Sequence, residues 1–351
     1  MSERSWTGHP LVQLTLVRFR EFYREPEAVF WVFAFPVLLT AGLGIAFRSQ
    51  PPERTPVAVV ADSPGSSALT AALGASETLA TRTLGDSAAA EALRTGQVAL
   101  VIVPGARGTV EYRYDRERPD ARTARLLVDA ALQEAAGRRD PLAVTERVVS
   151  EPGSRYVDFV VPGLLGMNLM GSGIWGLGFA IVDARRKKLL KRLIATPMSR
   201  SQYLASFVLS RLAMLIVEVA LLLGFAVLAF GVPLRGSLGT LSVLCLLSSL
   251  AFGALGLLLA SRARTVEGVS GLMNLVMLPM WIFSGVFFSA SRFPDALQPF
   301  IQALPLTAVI DALRATMLEG AGLAQLGPEL AVIGAWLVLS FLLAVRLFRW
   351  R

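Results

Sequence analysis

Six stretches of about twenty mostly apolar residues leave this chain few folds to adopt. They run over 28–47, 156–182, 203–230, 238–260, 266–289 and 329–348. A helix rises about 1.5 Å per residue, so each stretch covers the roughly 30 Å hydrocarbon layer of a bilayer. The spacing predicts an all-α polytopic membrane domain with six transmembrane helices. Pro162 and Pro279 lie inside the second and fifth stretches and predict kinks there. Only 17% of the 351 residues are charged, against about 25% in a soluble domain.

The net charge of +8 suggests nucleic acid at first sight. The basic residues, however, crowd the ends of the apolar runs. That is the positive-inside pattern, so no nucleic-acid partner is expected. One side carries Arg18, Arg20 and Arg24, the cluster from Arg185 to Arg200, Arg262 and Arg264, and Arg346, Arg349 and Arg351. The other side has Arg235, Arg292 and Arg314 in short connections. Both termini are therefore expected in the cytoplasm and 48–155 outside, because long segments cross regardless of their charge. The first 27 residues are mixed polar and show no cleavable signal pattern.

The loop 183–202 holds every lysine of the chain, Lys187, Lys188 and Lys191. At 100° per residue Leu189, Leu190, Leu193 and Ile194 share one face, and Arg185, Lys187, Lys188, Lys191 and Arg192 the other. A loop that only needed positive charge would not need the leucine face. This predicts a short cytoplasmic helix docked on another protein. Residues 1–27 hold a second amphipathic stretch, 10–25, with Leu11, Val12, Leu16, Phe19, Phe22 and Tyr23 on one face. It predicts a helix lying in the cytoplasmic interface.

Residues 48–155 predict an inserted α/β extracytoplasmic domain. Strand-like runs occupy 57–61, 98–103 and 109–114, and helix-like runs 66–73, 87–94 and 120–136. Pro51-Pro52 and Glu151-Pro152-Gly153 mark its limits. It contains neither histidine nor cysteine. The chain's single cysteine, Cys245, and single histidine, His9, cannot form an internal disulfide, a zinc site or a hydrolase triad with any economy. No lysine follows a glycine, so no P-loop is present and the chain binds no ATP by that motif.

Polar residues within spans narrow the function. Glu218 lies midway along the third span, where a carboxyl is costly and faces a protein interior or a wet cavity. It either lines a translocation path or subunit interface, or is hydrogen-bonded for packing alone. Asn168 and Asn274 invite the same two readings, with interhelical hydrogen bonding the simpler. Gly163, Gly166, Gly171, Gly173, Gly176 and Gly178 allow close helix contact in the second span. The loop 289–328, with Pro294, Pro299 and Pro305, holds apolar pieces too short to cross, 297–304 and 306–318. They predict short helices dipping into the outer leaflet as a re-entrant loop, with Asp311 and Arg314 spaced to pair.

These features resemble type-2 ABC exporter permeases. The local matches are Phe-Tyr-Arg-Glu-Pro-Glu-Ala-Val-Phe-Trp (22–31), Ala-Thr-Pro-Met-Ser-Arg-Ser-Gln-Tyr-Leu (195–204), Phe-Ser-Gly-Val-Phe-Phe (283–288), Leu-Pro-Leu-Thr (304–307) and Asp-Ala-Leu-Arg (311–314). The chain departs from many relatives in reading Lys-Leu-Leu-Lys-Arg-Leu (188–193) where they carry an acidic stretch. The resemblance implies a permease dimer, with a second copy of this chain as the expected partner, in a lipid bilayer with separate cytoplasmic ABC ATPase subunits that bind ATP and Mg. It implies that Arg186, Lys187, Leu189, Leu190, Arg192, Leu193, Pro197 and Met198 form the ATPase-coupling element. It implies that the chain itself is a transport subunit with no cofactor, moving an amphipathic, drug-like or lipid-like substrate outward. The rival readings are an ion-coupled secondary transporter using Glu218, a membrane-anchored sensor, and an ABC-type mechanical signalling complex. Five further spans speak against the sensor, and the lack of a repeat against the secondary transporter.

Overall fold

The computed structural model describes residues 10–47, 54–61, 63–105, 109–138, 153–186, 200–261 and 265–347. They belong to two compact units, Met1–Arg48 with Val149–Arg351, and Ser49–Val148. The chain opens with α1 (Pro10–Tyr23) and turns into the first long apolar helix, α2 (Pro26–Ala46). The corner follows from Glu25-Pro26. A proline disfavours helical geometry in the residue before it, and Glu25 stands at ψ 89°. Pro26 itself suits a first turn, where its missing N–H costs nothing. Within α2 the turn Phe30–Ala34 widens to π geometry, and the Phe35 N–H bonds back to the Phe30 carbonyl.

The inserted unit runs β1 (Thr55–Val60), α3 (Ser66–Gly74), β2 (Leu79–Leu84), α4 (Asp86–Arg94), β3 (Leu100–Pro104), β4 (Val110–Arg113) and α5 (Pro119–Ala135). The strand order is β2-β1-β3-β4, with β1 parallel to both its neighbours and β4 antiparallel to β3. Side chains alternate along β1. Val57 and Val59 pack with Leu73, Ala124 and Val128 from α3 and α5. Ala58 and Val60 pack with Ala89 and Ala92 from α4. Both faces are therefore covered, which explains why β1 reads as an unbroken apolar run. The edge strand β2 is absent from the sequence expectations. Its Leu-Ala-Thr-Arg-Thr-Leu buries fully only Leu79.

The remaining helices are α6 (Tyr156–Arg186), α7 (Arg200–Phe230), α8 (Leu238–Ala260), α9 (Val266–Phe283), α10 (Gln298–Ala303), α11 (Pro305–Arg314) and α12 (Gly327–Leu347). With α2, five of these make six helices long and apolar enough to cross a membrane. α8 and α9 start on side-chain caps, Ser237 accepting from the Thr240 N–H and Thr265 from the Gly268 N–H. α6 and α8 form the centre: 56% and 61% of their apolar windows are buried, against 17–28% for the other four. Those four leave apolar faces for lipid or for another chain. α6 continues through Pro162 and α9 through Pro279.

Two glycines allow close backbone approach, one between α6 and α8 and one between α6 and the segment after α9. A Cβ on Gly256 of α8 would stand 2.6 Å from the Ile174 carbonyl oxygen of α6. A Cβ on Gly163 of α6 would stand 2.5 Å from the Val286 carbonyl oxygen. Backbone cannot yield as a side chain can, so these sites exclude larger residues. The fifth apolar stretch ends as a helix at Phe283, six residues before its apolar character fades. Gly285 turns the chain there at φ +79°.

Candidate functional site

Five polar residues of the spans, Asn168, Ser172, Arg211, Glu218 and Ser249, gather into one ladder. Arg211 and Glu218 lie seven residues apart on α7, two turns along one face. Glu218 has a fully buried side chain, and its Oε2 stands 3.5 Å from Arg211 Nη1. Ser172 of α6 donates to Glu218 Oε1 at 2.8 Å. Arg211 donates from Nη2 to Ser172 Oγ at 2.6 Å and from Nε to Ser249 Oγ of α8 at 3.2 Å. The pair thus joins three helices. A charge inside a bilayer survives when it is paired and hydrogen-bonded in this way.

Ser172 is the node. Its Oγ also lies 2.7 Å from the Asn168 carbonyl oxygen. One hydroxyl proton cannot serve that carbonyl and Glu218 Oε1 together. Asn168, one turn away, donates from Nδ2 to the Val32 carbonyl at 3.1 Å. Val32 lies in the π turn of α2, where backbone carbonyls leave the regular pattern. The ladder therefore runs from α2 through α6 and α7 to α8.

Asn168 and Glu218 come together here, and Asn274 does not. Asn274 is exposed on α9, between the buried Met273 and Met277. Arg211, Ser172 and Ser249 were missed by the sequence reading. Arg211 lies inside the third apolar run and is not among the polar residues named there. Its i, i+7 spacing to Glu218 was the available signal.

A second polar centre holds the re-entrant segment. The pieces Asp295–Ala303 and Pro305–Glu319 meet at an 87° bend. Pro305 is buried at the first position of α11, and every residue from Pro305 to Leu313 is buried except Asp311. The segment is packed against α6, α8 and α12. Trp336 of α12 fixes the bend by donating to the Ala303 carbonyl at 2.8 Å.

Arg314 does more than pair with Asp311. That pair stands at 3.8 Å, with the Asp311 side chain 52% exposed. The guanidinium bonds instead to the carbonyls of Phe159 and Gly285 and covers the Phe159 ring at 3.7 Å. Tyr156 donates to the Phe287 carbonyl at 2.9 Å. The Phe-Ser-Gly-Val-Phe-Phe segment is thereby seated on the start of α6, with Val286 over Gly163. Arg155 closes the same end. It pairs with the buried Asp158 at 2.8 Å and donates to the carbonyls of Phe230 and Gly231 at the end of α7.

The expected coupling residues Lys187, Leu189, Leu190, Arg192, Leu193, Pro197 and Met198 lie outside the described residues. Arg186 is the last residue of α6. Among the described residues no three His, Cys, Asp or Glu side chains are grouped as metal ligands would be.

A family model described as ABC-2 family transporter protein matches residues 27–346. ABC transporter G family member 20 of Dictyostelium discoideum is 27% identical over 218 residues, 61% of this chain and 30% of its own length. Nodulation protein J of Bradyrhizobium diazoefficiens is 29% identical over 208 residues, 57% of this chain and 76% of its own length. Inner membrane transport permease YhhJ of Escherichia coli is 24% identical over 170 residues, covering 47% of this chain and 46% of the permease. The chain thus spans under a third of the first of these relatives and about half of the last.

Proposed function

The chain belongs to the ABC-2 family of transporter permeases, and from that premise we propose that it is the membrane subunit of an exporter driven by a separate ATPase. The observation that carries this reading is the family match over 27–346 on a chain whose described residues include six helices long and apolar enough to cross a membrane, and whose sequence has no P-loop. A permease of this family without its own nucleotide motif needs an energised partner.

The loop 183–202 is the contact we assign to that partner, through Leu189, Leu190 and Leu193 with the basic residues around them. The ladder lies within reach of a push there. Arg211 follows Arg200, the first residue of α7, by eleven positions, about 16 Å along a helix. A shift of α7 against α6 and α8 must rearrange the bonds at Ser172. Two permease copies would flank the substrate route, using the apolar faces that α2, α9 and α12 leave uncovered. ATP and Mg would be held by the ATPase, both termini would be cytoplasmic, and the inserted unit would lie outside. The substrate we propose is amphipathic, drug-like or lipid-like.

The ion-coupled reading gains nothing from Glu218, which is enclosed by Arg211 and Ser172 rather than lining an open route. Co-purification with the candidate ATPase tests the proposal, comparing wild type with the variant Leu189→Ser, Leu190→Ser, Leu193→Ser. Loss of the complex or of permease-stimulated ATP turnover in the variant is the expected result. An ATPase that binds and turns over equally well without those leucines would remove the coupling assignment.

A further inference from the structure

The inserted unit carries a feature that the transport reading does not use. A shallow cleft of about 300 Å³ is lined by Tyr114, Arg116, Arg122, Arg125 and Leu126. Tyr114 follows β4, Arg116 lies in the turn after it, and Arg122, Arg125 and Leu126 lie in the N-terminal half of α5. The lining holds three guanidinium groups and no carboxylate.

Several neighbouring acids are committed elsewhere. Arg113 pairs with Asp86 at 2.8 Å and with Glu111 at 3.0 Å. Arg118 pairs with Asp120 at 2.6 Å. Asp115 Oδ1 accepts the Glu117 N–H at 2.9 Å. Among the described residues, no carboxylate lies within 4.0 Å of Arg116, Arg122 or Arg125. Arg122 spends only its Nε, on the Arg116 carbonyl at 2.8 Å. That bond orients its outer fork and leaves both terminal nitrogens to donate. The sequence therefore places three like charges at one site with no carboxylate in direct contact, and one of them, Arg122, lies in the first turn of α5, where the backbone dipole favours an anion over a cation.

Planar guanidinium forks match the oxygens of a phosphate group, which they bind by paired, charge-assisted hydrogen bonds. The Tyr114 hydroxyl adds a donor of the same kind. Leu126, 68% exposed at the rim, offers apolar surface to whatever carries the charge. We propose that this cleft is a binding site for a phosphate-bearing anion. The group is supplied either by a lipid headgroup or by a free phosphate compound. The site does not depend on the export reading, since binding is measured without ATP or transport.

The test uses the full chain in phosphatidylcholine nanodiscs. It is titrated with inorganic phosphate at fixed ionic strength, and binding is read by calorimetry. A parallel sample in discs containing phosphatidylglycerol is released into detergent, and retained lipid is counted by native mass spectrometry. The variants are the triple Arg116→Gln, Arg122→Gln, Arg125→Gln, and the control Arg94→Gln. Arg94 lies on α4, against the opposite face of the sheet. Saturable phosphate binding that weakens about tenfold or more in the triple variant and persists in the control assigns a free phosphate source. Phosphatidylglycerol retention lost only in the triple variant, without phosphate binding, assigns a headgroup. No binding of either probe, or equal binding by the triple variant and wild type, overturns the proposal. All substituted side chains are exposed, and unchanged thermal unfolding confirms that the variants fold.

Discussion

Ser172 Oγ stands 2.8 Å from Glu218 Oε1 and joins the third span to the second at the point where Arg211 also arrives. The acid is thus not a lone charge. It is one end of an ion pair whose spare bonding capacity is taken up by serines of two other helices.

Removing one partner should therefore cost more than removing both. Arg211→Met leaves a fully buried carboxylate unpaired, a loss of about 3 kcal/mol. The double variant Arg211→Met, Glu218→Leu should recover part of that loss. Thermal unfolding of the purified protein in one detergent measures all three variants. Additive losses would show that the two side chains do not act as a pair.

Ser172→Ala should destabilise more than Asn168→Ala. Ser172 meets both charged groups, and a hydrogen bond to a charge contributes about 1.5–3 kcal/mol. The Asn168 side chain meets one neutral carbonyl, Val32 O, and an interhelical bond of that kind averages about 0.6 kcal/mol. The reverse order, in the same unfolding assay, would move the node from Ser172 to the α2 contact.

How much of this was legible depends on whether the signal was local. The six apolar runs were, because span length is set by the bilayer and not by tertiary partners. The fifth run was read too far because Val286, Phe287 and Phe288 are apolar, while the turn depends on Gly285 lying beneath Arg314. β1 was legible because both its faces are buried. β2 was not, since an edge strand needs apolar residues on only part of one face. In the ladder, Glu218 and Asn168 stood out as polar residues in apolar runs. Ser172 and Ser249 did not, because serine is common in membrane helices and only packing selects which serines meet a charge.

Arg314 should resist replacement by lysine. A single ammonium cannot reach the Phe159 and Gly285 carbonyls with the same fork or lie flat on the Phe159 ring. Arg314→Lys should cost about 2 kcal/mol. Asp311→Asn should change stability by less than about 0.5 kcal/mol, because the 3.8 Å pair is half exposed. If Asp311→Asn were as damaging as Arg314→Lys, the ion pair and not the carbonyl contacts would hold the re-entrant segment.

The glycines of the second span should divide into two kinds. Gly163 faces a backbone oxygen, and Val286 cannot withdraw without moving the loop that Tyr156 and Arg314 hold. Gly163→Ala should therefore destabilise by about 1–3 kcal/mol, the usual cost of overpacking. A Cβ at Gly176 meets nothing within 4 Å. Gly176→Ala should be neutral or stabilise by up to about 1 kcal/mol, since alanine is the better helix former. Each variant adds one methyl group, at sites thirteen residues apart on the same helix, so composition cannot separate them. Equal unfolding temperatures for both would mean that the contact with Val286 does not limit the approach of the loop to α6.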